Sequence, residues 1–186
     1  EWGGVAAFFN GCLGDVGPYR PETNFEEVEK IGRGLAGVAV GMAADIEVQD
    51  VESVVGRSEQ TTIPLDDLPT EKDLKETAGS GEEPGYHAAW ARDQLTSRRG
   101  GDEPVTQIEL EAQALRIGDL YLPCFPGQLF GQWGIELRER CGSPLFIVNQ
   151  SNDHAGYFPS NEGWERGGYE VRSAFMFNSD LPAGPP

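Results

Sequence analysis

The sequence predicts an α/β domain with a mixed β-sheet flanked by helices, spanning residues 1–186 as one unit. Three observations carry this. Val28, Ile31, Leu35, Val38 and Met42 recur at spacings of three and four, Ile108, Leu110, Ala112 and Ala114 alternate, and Leu145-Phe146-Ile147-Val148 is an unbroken apolar run of the kind found in buried strands. Helical and strand patterns follow one another along the chain, which is the grammar of α/β domains.

The elements follow in order. Val5-Ala6-Ala7-Phe8-Phe9 reads as a short buried strand, ended by Asn10-Gly11 and the glycine-dense turn Gly14-Asp15-Val16-Gly17-Pro18. Asn24 with Glu27 has the form of a capping box, opening a long amphipathic helix that runs to about Ala44. Residues Glu47 to Leu65 alternate loosely and predict a strand broken near Gly56; Glu71 to Thr77 predicts a short helix. Ala78 to Gly85 has no apolar periodicity and is expected to be a mobile loop. A helix over Tyr86 to Arg98 follows, with His87 in its first turn as a structural histidine.

Thr106 to Ile117, the Gly118-Asp119 turn and the apolar Leu120-Tyr121-Leu122-Pro123 together form a hairpin. Phe125-Pro126-Gly127-Gln128 is expected to end a strand and open a helix from Leu129 to Arg140. Gln128 would then sit at a helix N-terminus, whose free N–H groups and positive dipole suit an anion or an oxygen-rich ligand. The apolar run at 145–148 leads into a strand from Ile147 to Ser151, and a last helix covers Ser160 to Arg166. Between them lies Asn152-Asp153-His154-Ala155-Gly156-Tyr157-Phe158-Pro159, a polar loop leaving a strand end, where α/β sheets usually keep their chemistry.

Composition narrows the partners. A formal net charge of -17, with Lys30, Lys72 and Lys75 as the only lysines, would repel DNA or an acidic membrane face, so nucleic-acid binding is excluded. Cys12, Cys124 and Cys141 are odd in number and widely spaced, so they frame neither a disulfide scaffold nor a zinc knuckle. No apolar segment approaches the ~20 residues of a membrane span, and no secretory leader pattern opens the chain. The piece is expected to be soluble, with a secreted or a cytoplasmic location in a bacterium or archaeon both open. Both ends read as cut, since Glu1-Trp2-Gly3-Gly4 leads at once into an apolar strand and the chain stops in Leu181-Pro182-Ala183-Gly184-Pro185-Pro186.

Three blocks carry a family resemblance. They are Phe9-Asn10-Gly11-Cys12-Leu13-Gly14-Asp15-Val16-Gly17-Pro18, then Leu115-Arg116-Ile117-Gly118-Asp119-Leu120 through Phe125-Pro126-Gly127, then Asn152-x-His154-x-Gly156-Tyr157-Phe158-Pro159 with Gly167-Gly168-Tyr169-Glu170. In this order they resemble the catalytic domain of the neutral ceramidases, zinc-dependent amide hydrolases, and its bacterial relatives. The likeness spans nearly the whole chain and corresponds to the C-terminal half of that domain.

The resemblance implies a zinc ion held by two upstream histidines, a glutamate after Pro-Gly and a tyrosine two residues after an asparagine, with a serine of Gly-Asp-x-Ser-Pro over the metal. Carried over by position, the glutamate falls on Gln128, the tyrosine on His154 and the serine on Gly17. All three differ. A glutamine carbonyl is a weaker zinc ligand than a carboxylate, and histidine is a better one than tyrosine at neutral pH, so the metal site is altered rather than erased. Glycine at 17 removes the hydroxyl, leaving a metal-activated water as the implied nucleophile. His87 and His154 are the only histidines, so the two upstream ligands would come from a companion polypeptide carrying the N-terminal half.

The first reading is therefore a zinc-dependent hydrolase of amide or related bonds, acting on a small or lipid-like substrate other than ceramide. His154 and Gln128 are its metal-facing residues, Asp15 an orienting group and Tyr157 a donor to a developing oxyanion. The alternative is a non-catalytic relative kept for binding or assembly. A hydrolase using Cys12 or Ser160 as nucleophile is a third reading with no base or orienting acid to support it.

Overall fold

The computed structural model describes residues 7–19, 21–47, 50–80, 85–102, 105–142, 144–177 and 184. Helix α1 (Phe25–Ala43) precedes β1 (Val54–Pro64), α2 (Glu71–Gly79) and α3 (Tyr86–Gly100). Then come β2 (Gln107–Ile117), β3 (Leu120–Phe125), β4 (Gln128–Leu129), α4 (Gly131–Cys141), β5 (Val148–Asn149), β6 (Tyr157–Phe158), α5 (Asn161–Arg166), α6 (Tyr169–Arg172) and α7 (Ala174–Phe177). The main sheet has the order β1-β2-β3-β5, antiparallel except for the parallel β3–β5 pair, and β4 and β6 form a small parallel ladder of their own. This is the mixed α/β architecture that the alternating patterns predict.

The β2–β3 hairpin forms where the alternation places it, because Gly118 takes φ 58 at the turn, a left-handed conformation that glycine adopts without a Cβ clash. Trp90, Ala91 and Leu95 of α3 close a core with Leu74 of α2, and Phe175 packs edge-on to Trp90 at 5.4 Å between ring centroids. Helix α2 owes its start to a full capping box: Thr70 Oγ1 accepts from the Asp73 N–H, and the Asp73 carboxylate accepts from the Thr70 N–H. His87 lies in α3 against Tyr86, and its Nε2 is buried without a hydrogen-bond partner among the described residues.

Several local expectations need correction. Val5 and Ala6 lie outside the described residues, while Phe8 and Phe9 are 76% and 48% exposed and no strand forms there. One backbone bond, from the Asn149 N–H to the Asn10 carbonyl, ties this stretch to β5, too little to build a ladder. Asn24 makes only half a capping box, since its Oδ1 accepts from the Glu27 N–H and its amide donates to Glu22. The apolar stripe of α1 has no cover among the described residues: no residue of the helix is buried. Strand β1 starts at Val54 and runs unbroken through Gly56, because β2 pairs with it in continuous register from Val54↔Ile117 to Pro64↔Gln107. Val48, Gln49 and residues 81–84 of the expected mobile loop lie outside the described residues.

Candidate functional site

The site region is assembled around the segment Phe125 to Gly131. Gln128 is not at a helix N-terminus as expected. Its N–H donates to the Gly156 carbonyl at 2.8 Å, which draws Gln128 and Leu129 into the ladder with Tyr157 and Phe158, so α4 starts only at Gly131, with Phe130 as its cap residue. The N-terminus of α4 is also not open to an anion: Asp15 Oδ1 accepts from the Gly131 N–H at 2.6 Å and already meets the positive end of the helix.

The loop carrying Asp15 is fixed by backbone contacts. Gly14 donates to the Leu129 carbonyl at 3.0 Å, and a Cβ at Gly14 would come within 2.6 Å of the Gln128 carbonyl oxygen, so only glycine fits this approach. Next to it, Cys12 Sγ packs against α4 at Gly134, where an added Cβ would lie 2.9 Å from the sulfur. All three cysteines are free, and burial pushes the Cys12 thiol up, with Arg138 partly opposing the shift. A raised thiol pKa means less thiolate at neutral pH, which counts against Cys12 as a nucleophile.

The loop after β5 folds back over Pro126 and Gly127. Gln150 donates its N–H to the Gly127 carbonyl at 3.1 Å, Ser151 to Phe125 at 3.1 Å and Ala155 to Pro126 at 2.8 Å. Gln150 and Asn152 hold φ of 55 and 66, the left-handed region, which turns the chain tightly enough to bring His154 back toward Gln128. The result is a direct contact: Gln128 Nε2 and His154 Nε2 are 2.9 Å apart.

The other sequence candidates are placed less tightly. Tyr157 pairs with Gln128 in the β4–β6 ladder, is half-buried, and turns its ring edge-on to Tyr169 at 6.4 Å. Gly17 is exposed, and a Cβ there would meet nothing within 4 Å. The blocks thus meet at one backbone segment but do not share one cavity. Asp15 lines a cavity of about 410 Å³ with Phe130, Gln132, Ser160, Glu162 and Glu170, whereas the contact between half-buried Gln128 and exposed His154 lies outside that lining. A larger groove of about 660 Å³ runs along α1 at Pro18, Phe25, Val28 and Ile31, on other elements.

A contact between Asn10 and Gln150 is not legible in the sequence. The Asn10 side-chain amide donates to Gln150 Oε1 at 2.8 Å and ties the first sequence block to the residue two positions before the third, across 140 positions. Asn149 beside them is only 3% exposed, with its side chain against the Cys12 thiol. A zinc centre needs three or four donors. Among the described residues no group of three His, Cys, Asp or Glu side chains converges, so this chain's described residues do not by themselves fit a zinc ion; they offer one imidazole and one amide.

No family model and no curated protein matches the chain. Among solved structures, it is similar to a ceramidase complexed with C2, at 24% identity and a TM-score of 0.30, over 40% of this chain and 12% of that one. It is also similar to neutral ceramidase from Pseudomonas aeruginosa, at 18% identity and a TM-score of 0.35, over 69% of this chain. The chain spans 25% of the length of that structure. No helix among the described residues is long and apolar enough to cross a membrane.

Proposed function

We propose that this chain is part of a ceramidase-like catalytic domain, and that it supplies one side of a hydrolase site acting on an amide or related bond. The observation that carries the reading is the contact of Gln128 with His154 at 2.9 Å, in a segment to which the Asp15 loop is also bound. Residues singled out in three separate stretches of sequence meet at one short stretch of backbone, as a site would require and as a set of unrelated surface loops would not.

Each residue has a part in the proposal. His154 contributes an imidazole nitrogen, and Gln128, held by the Gly156 carbonyl, faces it with an amide that can turn either its nitrogen or its oxygen inward. Asp15 acts as a positioning residue through Gly131, fixing α4 relative to the Gln128 segment. Tyr157, beside Gln128 on the neighbouring strand, is the candidate donor to a substrate oxygen. At Gly17 a hydroxyl would fit but is absent, so the attacking group is water.

Zinc belongs to the proposal as a metal shared between His154 and Gln128 here and ligands on a companion polypeptide; it would supply Lewis acidity at the substrate carbonyl. The test is metal analysis of the native particle containing this chain, together with acyl release from an N-acyl amide. Zinc near one equivalent and hydrolysis, both lost in His154→Ala, are expected. A metal-free particle, or hydrolysis unchanged by His154→Ala, would overturn the reading.

A further inference from the structure

We propose that the outer edge of β1 is the seam of a two-fold homodimer, with β1 pairing antiparallel to β1 of a second copy about Ser58. The seam is on the far side of the sheet from β5 and the His154 loop, and the inference stands apart from the hydrolase reading.

The backbone points outward in the needed pattern. Ser53 accepts from the Gly118 N–H and Leu65 donates to Thr106, so the odd positions of this strand face β2. The even positions Val54, Gly56, Ser58, Gln60 and Thr62 therefore turn their N–H and C=O groups away from the sheet. The next even residue, Pro64, already has its carbonyl occupied by the Gly184 N–H. What remains free among the described residues is a row symmetric about Ser58.

Arg57 and Glu59 are the only charged side chains on this edge, and Pro64 stands only at its end. The edge is a long strand in continuous register, with no bulge, no lysine, and no proline before Pro64. Both of its faces are open, Val54 being 68% exposed.

The charges select both the partner and the register. Arg57 and Glu59 face alanines across the β1–β2 ladder, Ala114 and Ala112, and neither is in an ion pair among the described residues. Antiparallel pairing about Ser58 puts Arg57 of each copy opposite Glu59 of the other, with Val54 opposite Thr62 and Val55 opposite Thr61, pairs that suit a sheet. Moving the centre by one residue sets Glu59 against Glu59 or Arg57 against Arg57. A two-fold thus satisfies charges that the isolated chain leaves without partners.

Sedimentation equilibrium of the full chain, at a salt concentration of about 0.15 M where charges screen over ~8 Å, tests this. The expected mass is twice 20.2 kDa. R57E alone and E59R alone should each give the single-chain mass, and the double exchange R57E/E59R should restore the dimer. Ser58→Pro removes only an outward N–H and should also give the single-chain mass with an unchanged circular dichroism spectrum. A wild-type chain that stays single at all concentrations, a dimer indifferent to the single exchanges or to Ser58→Pro, or a double exchange that fails to restore it would each overturn the proposal.

Discussion

Gln128 and His154 are separated by 26 positions in sequence, yet their side-chain nitrogens lie 2.9 Å apart. Two backbone devices produce that contact. The Gly156 carbonyl anchors Gln128 from one side, and the left-handed Gln150 and Asn152 fold the intervening loop back from the other. The pair is therefore held by main-chain hydrogen bonds, and side-chain changes at it should alter chemistry more than stability.

The glycines of the first block divide sharply. Gly14→Ala forces a Cβ to within 2.6 Å of the Gln128 carbonyl oxygen, a contact with backbone that cannot rotate away, and should cost about 1–3 kcal/mol in urea denaturation. Gly17→Ala meets nothing within 4 Å and should leave the midpoint within about 0.5 kcal/mol of the parent. Equal effects at the two positions would show that the loop does not pack on Gln128.

Asp15→Ala should destabilise α4. It removes both the acceptor for the Gly131 N–H and a negative charge at the positive end of the helix, a combined loss of about 0.5–2 kcal/mol. Asp15→Asn keeps an acceptor and should recover part of that loss. Denaturation midpoints of the two variants, compared with the parent, check the order.

The Cys12 thiol gives a pH dependence. Burial raises its folded pKa above the unfolded value, so the folded state holds the proton longer; its contribution is fully present below the ordinary thiol pKa and is lost as pH rises through the folded value. Stability should therefore fall at alkaline pH by less in Cys12→Ala than in the parent. Alkylation followed by peptide mass mapping should label the exposed Cys141 well before Cys12.

How much of this was legible in sequence depends on where each feature is encoded. The hairpin at Gly118-Asp119, helix α3 and the start of α5 at Ser160 are set by local periodicity and local turn or cap chemistry, and all three form as read. Gln128 was misplaced because the Pro-Gly before it resembles a strand-to-helix junction, while the bond that keeps it in a strand comes from Gly156, 28 positions on. Over Ala7 to Phe9, the described part of the strand expected from Val5 to Phe9, no strand forms for the same kind of reason: apolar content fixes a preference, and a ladder needs a neighbour that no local pattern supplies. His154 and Gln128 stand out by motif and are in contact, whereas the Asn10–Gln150 bond spans 140 positions and carries no motif of its own.

The most direct test of the account is a zinc titration of the native particle containing this chain by competition with a chromophoric chelator, alongside the same particle carrying His154→Ala or Gln128→Glu. If the pair is one side of a metal site, the parent should bind a single zinc weakly, Gln128→Glu should tighten it roughly tenfold by replacing a neutral amide with a carboxylate, and His154→Ala should abolish it. Zinc affinity that is the same in all three proteins would contradict the central claim.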